Sequence, residues 1–442
     1  MKDKKIVKKH ECIVIGGGAA GMMAAIALAE YGIDTCILEH TSRIGTKILQ
    51  TGNGKCNFTN LNLNENMYQN KNKQWVMEVI AQYGVNDTLK FFKNIGVYYK
   101  EKNGYVYPLS MTAASLQNAL RLELENKRVK IHTDTIVNSI SCFNIPEGNG
   151  TKDNDTKGNN LEDNVKGKFI IKCEGIDYLA DTVIIATGSK AAPKTGSDGT
   201  GYELVRQMGI KVNKPLPALV QLISDDKKLC RLAAGVRSHG KIELYADDRK
   251  VSEDEGEIQY TDYGISGIPV FQVSRYAVKA LDEKRNVHAV IDMLPDIDYE
   301  EIGHILTYRV EHEGYKTIEQ FFEGMVNRKL VSMVCRKCNI DTGTYISDIK
   351  ISALQKLLDN MKKYDICIID NKGFENGQIC QGGVDTKGVS SKDMQSLKVK
   401  GLFFAGEVLD VDGKCGGYNL QWAWSSARVA ATGVKKYIDN RM

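Results

Sequence analysis

Three glycines near the start of the chain have the spacing of a dinucleotide-binding turn. Gly16, Gly18 and Gly21 fit the pattern GxGxxG and follow a short apolar run over residues 13–15. In such a turn the first glycine allows the tight bend, and the second lets backbone amides approach a pyrophosphate. The third lets the next helix lie close to the strand, with the phosphates at the helix N-terminus. These residues predict chemistry that needs a bound dinucleotide.

An acidic residue completes the motif at the expected distance. Residues 34–38 predict a second strand, and Glu39 follows about twenty residues after the glycines. A carboxylate at this position can accept hydrogen bonds from both ribose hydroxyls of an adenosine, and it disfavours a 2′-phosphate. A GxGxxG pattern alone is weak evidence, but here the strand, the helix and the acid are in register. The segment is therefore predicted to be a dinucleotide-binding βαβ unit.

Two later segments favour FAD over a nicotinamide cofactor alone. One begins at Ala186 and the other at Phe404, and each places glycines directly after an apolar strand. FAD is long, so its adenosine can bind the first βαβ unit while its isoalloxazine ring reaches loops from the rest of the chain. We expect Gly406 and Glu407 to approach the pyrophosphate and the ribityl chain. The residues around Gly417 would bring a helix N-terminus against the flavin ring, where reduction builds negative charge.

Length, charge and cysteine content narrow the class of protein. A chain of 442 residues predicts two or three domains. The 59 basic and 55 acidic residues leave a formal charge of only +4, which argues against a nucleic-acid-binding surface. No apolar stretch approaches about 18 residues, so no membrane span is predicted. Eleven cysteines without a secretion signal favour reduced thiols and a cytoplasmic location.

Neither a metal site nor thiol chemistry is predicted. Cys335 and Cys338 form a CxxC pair in a predicted helix, but a structural zinc site would need a second close pair. The histidines of the middle region lack the spacing of metal ligands. Cys56 has no redox partner nearby in the sequence, and we interpret it as a packed, neutral thiol.

The order of predicted strands and helices indicates an α/β fold with a discontinuous, Rossmann-like FAD-binding domain. Beyond about residue 193 short strands and then helices replace the βαβ pattern, which predicts an inserted β plus helical domain that acts as a substrate-binding cap. Residues 144–167 have almost no apolar content and are predicted to be an exposed extension. The predicted domains are 1–192 and 377–442 for the two parts of the FAD-binding domain and 193–376 for the insert, with its β part at about 193–295 and 364–376 and its helical part at about 296–363.

Two motifs carry a specific resemblance. The segments GTKILQTGNGKCNFTN and FAGEVLDVDGKCGGYNLQWAWSSARVAA together resemble the YhiN-type family of bacterial FAD-dependent oxidoreductases, which includes aminoacetone oxidase-like and dehydro-bile-acid reductase-like flavoproteins. The likeness covers nearly the whole chain, with the tract at 144–167 as a departure. It implies FAD bound by a discontinuous Rossmann-like domain, with a β and helical insert over the flavin.

The resemblance also implies roles for individual residues. Those that would line the flavin ring are Lys47, Gly52, Asn53, Cys56 and Asn57, and Val137 would bring its backbone near the adenine. A second interpretation stays open for Glu407 and Asp412, since acids often cap turns before a helix. With the motif residues, the predicted FAD-binding set is Gly16, Gly18, Ala19, Ala20, Gly21, Glu39, Lys47, Gly52, Asn53, Cys56, Asn57, Val137, Thr187, Gly188, Gly406, Glu407, Asp412, Gly417, Tyr418, Asn419 and Leu420.

Three functions stay open at this point. In the first, NAD(P)H docks transiently and the flavin then reduces a carbon–carbon double bond of an unsaturated ketone, such as a 3-oxo bile-acid (steroid) intermediate. In the second, the protein is an FAD-dependent oxidase or dehydrogenase of an amine such as aminoacetone. In the third, it is a flavoprotein with an RNA-related role, which the near-neutral charge disfavours. The expected partner is a small-molecule substrate, with no nucleic acid, no membrane and no obligate protein partner.

The catalytic residues are not assigned from the sequence. A tyrosine or a water molecule would supply the proton for reduction of an unsaturated ketone. Tyr107, Tyr263 and Tyr418 qualify only by side-chain type and by their proximity to the motifs. A dedicated NAD(P)-binding domain is not expected, because no second strand, glycine turn, helix and acid occur together in the later part of the chain.

Overall fold

The structure is a computed structural model that describes residues 6–142 and 169–441. The predicted extension at 144–167 lies outside these described residues. Two compact units divide the chain: unit 1 comprises Met1–Pro215 and Ile379–Met442, and unit 2 comprises Leu216–Gln378. The first unit is therefore built from both ends of the polypeptide, as a discontinuous domain would be.

The strands and helices are numbered in chain order. The strands are β1 Ile6–Ile15, β2 Thr35–Leu38, β3 Thr59–Asn60, β4 Tyr68–Gln69, β5 Tyr99–Lys102, β6 Tyr105–Pro108, β7 Lys130–His132, β8 Val137–Cys142, β9 Phe169–Cys173, β10 Ile176–Ile185, β11 Val212–Ala218, β12 Leu222–Ser224, β13 Arg237–Ala246, β14 Arg249–Tyr260, β15 Gly264–Gly267, β16 Val287–Asp292, β17 Tyr364–Asn371, β18 Ile379–Val384, β19 Leu402–Phe404 and β20 Asp412–Gly413. The helices are α1 Ala19–Glu30, α2 Lys73–Gln82, α3 Val85–Asn94, α4 Ala113–Asn126, α5 Thr200–Gln207, α6 Lys227–Ala233, α7 Ile268–Asp282, α8 Tyr299–His304, α9 Val310–His312, α10 Ile318–Phe322, α11 Arg328–Cys338, α12 Ile351–Lys362, α13 Gly373–Asn376 and α14 Tyr418–Asp439.

The main sheet of unit 1 has the strand order β7-β2-β1-β10-β9-β8, and β19 also pairs with β10. β7, β2, β1, β10 and β19 run parallel, whereas β9 and β8 join in antiparallel orientation. Ile15 lies beside both Leu38 and Ile185, and Ile185 lies beside Phe404. Loops that follow the carboxyl ends of parallel strands collect at one edge of the sheet and form ligand sites there. The predicted cofactor segments after β1, β2, β10 and β19 all begin at this edge.

Two helices from opposite ends of the chain, α1 and α14, pack against each other. α1 has no polar face, and residues 20–28 are all buried, which is the pattern of a helix covered on all sides. On α14 the buried rings of Trp422 and Trp424 each satisfy their indole N–H. Trp424 Nε1 donates to the carbonyl of Phe58 at 2.9 Å, and Trp422 Nε1 donates to the carbonyl of Gly406 at 3.1 Å. These bonds tie the last helix to segments that the sequence alone leaves distant.

Unit 2 contains a closed barrel in the order β12-β15-β14-β13-β16-β17. In β13 every second residue from Gly240 to Ala246 is buried, so the apolar side chains of this strand share one face. Helix α7 packs on β13 and β14, and α11 and α12 contribute to the same apolar core. A barrel with associated helices is the kind of insert that the sequence predicts.

The first boundary of the insert differs from the predicted position. The sequence pattern predicts an insert that starts at 193, whereas unit 2 begins at Leu216. The physical reason is that β11 pairs with β18 of the returning chain, and a Cβ at Gly382 would lie only 2.2 Å from the carbonyl oxygen of Lys214. Helix α5 precedes this pairing and stays with unit 1. The second boundary, at Gln378, lies close to the predicted end at 376.

A buried lysine holds the turn after β16 in unit 2. Lys362 Nζ lies 2.6 Å from Asp292 Oδ2 and donates to the carbonyls of Leu294 at 2.7 Å and Ile297 at 2.8 Å. The side chain is 9% exposed. A buried cation is tolerated when it is paired and hydrogen-bonded in this way.

Lys362→Met should destabilise unit 2. The substitution leaves the Asp292 carboxylate and two carbonyl groups without their donor, which we expect to lower the free energy of unfolding by about 3 kcal/mol. Lys363→Met, at the exposed next residue, is the matched control and should change it by less than about 0.5 kcal/mol. Urea unfolding followed by far-UV circular dichroism measures both variants. Equal midpoints for the two variants would contradict the assignment.

Candidate FAD-binding site

The turn between β1 and α1 has the geometry that the glycine motif predicts. Gly16 has φ +102°, and a Cβ there would lie 2.5 Å from the carbonyl oxygen of Ala186. A Cβ at Gly21 would lie 1.8 Å from the carbonyl oxygen of Gly16. At Gly18, by contrast, a Cβ would meet nothing within 4 Å. Two glycines are thus required by close packing, and the third faces open space.

Helix α1 presents its N-terminus at this turn. Its N-cap is Gly18, no side chain caps the helix, and its first turn has no acidic residue. The first backbone N–H groups of a helix have no partner within the helix, and its dipole favours an anion there. The amides at Ala19 and Ala20 therefore suit a phosphate. A Cβ at Gly406 would lie 2.7 Å from the Cβ of Ala20, so the segment after β19 reaches the same place.

Glu39 lies at the end of β2 with its carboxylate held in place. Its Oε2 accepts from the backbone N of Gly17 at 2.7 Å, and its Oε1 accepts from the backbone N and the Oγ1 of Thr41, each at 2.8 Å. The residue is 7% exposed. The backbone N of Thr135 donates to its carbonyl at 2.9 Å, which brings the start of β8, at Val137, to the same end of the sheet. A carboxylate fixed in this way can accept further hydrogen bonds from a ribose.

An ion pair joins two segments that are far apart in the sequence. Lys47 Nζ lies 2.7 Å from Glu407 Oε2, and the same carboxylate oxygen accepts from Ser189 Oγ at 3.2 Å. Lys47 lies in the 3-10 helix Thr46–Gly54, Ser189 follows β10, and Glu407 follows β19. The carboxylate of Glu407 therefore bridges side chains from two other segments.

The predicted flavin-ring segment lies beside the start of α14. Gly417, the N-cap of this helix, has φ +90°, and a Cβ there would lie 2.6 Å from the carbonyl oxygen of Thr59 and 2.7 Å from Asn57 Oδ1. Asn57 Oδ1 also accepts from the backbone N of Val106 at 3.2 Å. No side chain caps α14, and its first turn has no acidic residue. This N-terminus can stabilise negative charge on a bound ring.

Residues of the loop at 52–56 adopt left-handed backbone conformations. Gly52 has φ +55°, Asn53 φ +53° and Cys56 φ +55°, and such a run is unusual for residues other than glycine. Cys56 is fully buried, and this burial raises the pKa of its thiol to about 11. The thiol is therefore neutral near pH 7, as the sequence analysis predicts, and it is a poor nucleophile.

Other predicted residues of α14 and its approach serve the protein's own structure. Asn419 closes a ring with Gly413: its Oδ1 accepts from the backbone N at 2.7 Å and its Nδ2 donates to the carbonyl at 2.9 Å. Asp412 is buried in β20, opposite Gln69 of β4. Leu420 is half-buried in the first turn of α14. These contacts shape the turn from which α14 begins.

A buried hydroxyl at the end of β10 lacks a partner within the described residues. Thr187 Oγ1 is inaccessible and makes no hydrogen bond there, and the hydroxyl of Tyr202 is in the same state. Buried polar atoms are normally satisfied, so an orphaned one indicates a ligand or a water molecule. Thr187 and Gly188 follow β10 at the sheet edge described above. A Cβ at Gly201 would lie only 1.9 Å from Thr187 Oγ1, so this hydroxyl faces α5, and it is the open space at Gly18 that fits a dinucleotide.

The structure adds three residues that sequence patterns did not single out: Gly17, Thr41 and Ser189. Gly17 is the middle residue of the motif, where the pattern allows any side chain, yet its amide binds Glu39. Thr41 and Ser189 act through contacts with Glu39 and Glu407. Of these three residues, only Ser189 could have been predicted from the sequence, because it directly follows Gly188 of the predicted FAD-binding set. Tyr263, one of the three tyrosines considered above, lies in unit 2.

Gly18→Ala should separate cofactor binding from folding. The backbone of Gly18 has φ −76° and ψ −168°, which alanine adopts freely, and its methyl group would occupy only the open space. We expect the FAD-free variant to melt like the parent protein, while its Kd for FAD rises at least tenfold, or about 1.4 kcal/mol. Fluorescence titration with FAD measures the Kd.

Two glycine variants serve as controls for this prediction. Gly388→Ala also adds a methyl group in open space, and it should leave the Kd for FAD unchanged. Gly21→Ala should disrupt the fold itself, because its methyl group overlaps a backbone carbonyl. FAD affinity equal to that of the parent protein in Gly18→Ala would show that the space at this turn is not the pyrophosphate site.

Comparison with known proteins identifies the family. The model of the HI0933-like protein Rossmann domain matches residues 10–433. The chain is 37% identical to the 3-dehydro-bile acid delta(4,6)-reductase of Clostridium scindens, over 94% of this chain and 97% of that protein. It is 29% and 26% identical to the ribosomal RNA dihydrouridine synthases of Haemophilus influenzae and Escherichia coli, in each case over 96% of this chain and 98% of that protein. Among the described residues, no helix has both the length and the apolar character of a membrane span. The chain belongs to the HI0933-like, YhiN-type family of Rossmann-fold proteins and is an FAD-dependent oxidoreductase.

Proposed function

We propose that this protein is an NAD(P)H-dependent flavin reductase of a carbon–carbon double bond conjugated to a carbonyl group, with a 3-oxo bile acid or a related steroid as substrate. The observation that carries the proposal is the 37% identity, over nearly the full length of both chains, to a reductase of a 3-dehydro-bile acid. The predicted FAD-binding residues of unit 1 support a flavin-dependent reaction, because they could bind an adenosine, a pyrophosphate and a flavin ring.

The net reaction adds a hydride and a proton across the double bond. NAD(P)H is oxidised to NAD(P)⁺, the hydride goes to the β carbon, and an acid delivers a proton to the α carbon. Bound FAD would supply the hydride chemistry. The chain's own part is to hold the adenosine at Glu39, the phosphates at the N-terminus of α1, and the ring beside the N-terminus of α14.

Tyr107 is the tyrosine that best suits the role of proton donor. It lies on β6, which pairs with β3 at the segment that contacts Gly417. Burial, followed by the nearby Tyr105 and Cys415, raises the pKa of Tyr107, so its hydroxyl stays protonated well above pH 7. Tyr107 is half-buried. The hydroxyl of Tyr418 donates to the carbonyl of Asn62 at 3.4 Å.

A second substrate class is supported by the names of two other relatives, the ribosomal RNA dihydrouridine synthases. The uracil ring also has a carbon–carbon double bond conjugated to a carbonyl, so its saturation is the same reaction on a different substrate. The identity to these relatives is lower, at 29% and 26%, and the formal charge of only +4 gives no strong attraction to RNA phosphates. The steroid is therefore the preferred substrate, and RNA is the second candidate.

Anaerobic spectroscopy of the FAD-loaded protein should distinguish the three functions. We expect NADH or NADPH to bleach the flavin, and a 3-oxo-4,6-diene bile acid to restore its colour while gaining one H₂ per reduced double bond by mass spectrometry. The same bile acid without these double bonds is the control and should restore nothing. Bleaching by aminoacetone with formation of peroxide in air would contradict the proposal in favour of an amine oxidase. Dihydrouridine formed in ribosomal RNA, without reaction of the bile acid, would favour the RNA substrate.

Tyr107→Phe should slow the second half of the reaction only. Loss of a general acid typically costs about a hundredfold in rate, so reoxidation of the reduced flavin by the unsaturated ketone should slow by about that factor. FAD affinity and the rate of reduction by NAD(P)H should stay unchanged. Tyr98→Phe is the control, since Tyr98 is 59% exposed. Unchanged reoxidation in Tyr107→Phe, measured by stopped-flow absorbance, would exclude Tyr107 as the proton donor.

A further inference from the structure

Three neighbouring strands of unit 1 each supply one side chain that can bind a metal ion. His10 lies on β1, Cys36 on β2 and His132 on β7, and these strands are adjacent in the order β7-β2-β1. One ring nitrogen of each histidine and the sulfur of Cys36 all lie within 4.8 Å of one another. His10 is 4% exposed and Cys36 is fully buried. The cluster belongs to the sheet and shares no residue with the predicted FAD-binding set.

The hydrogen bonding of His132 leaves one of its ring nitrogens unsatisfied among the described residues. His132 Nε2 is buried and makes no hydrogen bond within the described residues. An orphaned buried nitrogen beside a second imidazole and a thiol indicates a ligand that is missing from the polypeptide itself. Neutral imidazole supplies the lone pair that binds a metal ion.

Asp34 orients the second histidine. Its Oδ2 lies 2.9 Å from Nδ1 of His10. A carboxylate on Nδ1 fixes the proton there and leaves the lone pair on Nε2, which is the arrangement that supports metal-binding histidines. Asp34 is half exposed, so solvent reaches this side of the cluster. Lys8 and Lys130 place positive charge near His132, which would repel a bound cation. The Asp34 carboxylate lies 4.0 Å from Lys130 Nζ and offsets part of this charge.

We propose that His10 Nε2, Cys36 Sγ and His132 Nε2 bind a zinc ion, with water as the fourth ligand. In a tetrahedral zinc site with bonds of about 2.0–2.3 Å the ligand atoms lie roughly 3.5 Å apart. Donors within 4.8 Å reach that geometry when they close by about one ångström. Two imidazoles and a thiolate select Zn²⁺ over Mg²⁺ or Ca²⁺, which prefer oxygen ligands.

The bound ion would join three strands at the adenosine end of the cofactor site. Cys36 precedes Glu39 on the same strand, and the backbone N of Glu39 donates to the carbonyl of His132 at 2.8 Å. A metal that restrains Cys36 and His132 therefore restrains the backbone on both sides of Glu39. This inference goes beyond the proposed function and holds whatever substrate the flavin reduces.

Metal titration of the full-length, FAD-loaded protein tests the site. After removal of metals with EDTA, the parent protein should bind one equivalent of Zn²⁺ in equilibrium dialysis, measured by elemental mass spectrometry. Co²⁺ used alone should give the red-region absorption of a tetrahedral thiolate site, beyond the flavin bands, and Zn²⁺ should abolish it. Cys36→Ser and His132→Gln should each weaken Zn²⁺ binding at least tenfold. Asp34→Asn should weaken it about 10- to 100-fold.

Matched controls separate zinc binding from loss of fold. Cys12→Ser removes an equally buried thiol from the neighbouring strand β1, and it should keep the full stoichiometry. The flavin spectrum reports on folding in every variant. The proposal is wrong if the folded parent protein takes up no Zn²⁺ at micromolar concentration. The proposal is equally wrong if His132→Gln and Cys36→Ser both bind Zn²⁺ as the parent protein does. His132 is only half-buried, so its replacement by glutamine should not unfold the protein.

Discussion

The contact between the backbone of Gly21 and the carbonyl of Gly16 is the constraint on which the cofactor site depends. A single methyl group on Gly21 would lie 1.8 Å from the carbonyl oxygen of Gly16, so α1 can approach the end of β1 only because Gly21 lacks a side chain. This approach points the free amides of α1 at the carboxyl edge of the sheet. Helix α14 then packs on α1, and a site that starts near residue 16 is completed by residues beyond 400.

The long-range contacts of unit 1 explain why the cofactor domain needs both ends of the chain. Lys47 meets Glu407, the indole of Trp424 meets the carbonyl of Phe58, and the indole of Trp422 meets the carbonyl of Gly406. Each of these bonds is buried or half-buried, where an unpaired polar group would cost about 1–3 kcal/mol. An insertion between the two parts is tolerated because β11 and β18, at its two ends, pair with each other.

Local signals in the sequence predicted the parts of the site that are local in the structure. The glycine turn and Glu39 follow from spacing within one βαβ unit, and the glycines that follow the strand at 402–404, together with the length of FAD, extended this prediction to α14. The pairing of Lys47 with Glu407 has no such signal, because neither residue type nor spacing specifies a partner so far along the chain. The predicted start of the insert at 193 and the start of unit 2 at Leu216 differ for the same reason: VNKPLPA in β11 is mixed in polarity, and its pairing with β18 is not visible in the sequence. His10, Cys36 and His132 show the limit of motif reading, since three strands supply one donor each and no local pattern forms.

The chemistry of the site separates cofactor binding from substrate choice. The residues that face the predicted adenosine, pyrophosphate and flavin ring act mostly through backbone atoms and through side chains held by other parts of unit 1, as Glu39 and Asn57 are. Contacts of this kind would position a flavin without reference to the molecule it reduces, whether a steroid or a uracil ring. Selectivity between these substrates must therefore come from residues outside this set. The proposed proton donor, Tyr107, differs from these residues, because it would have to reach the α carbon of the substrate. It is half-buried on β6, which pairs with β3 beside Gly417, and burial raises the pKa of its hydroxyl.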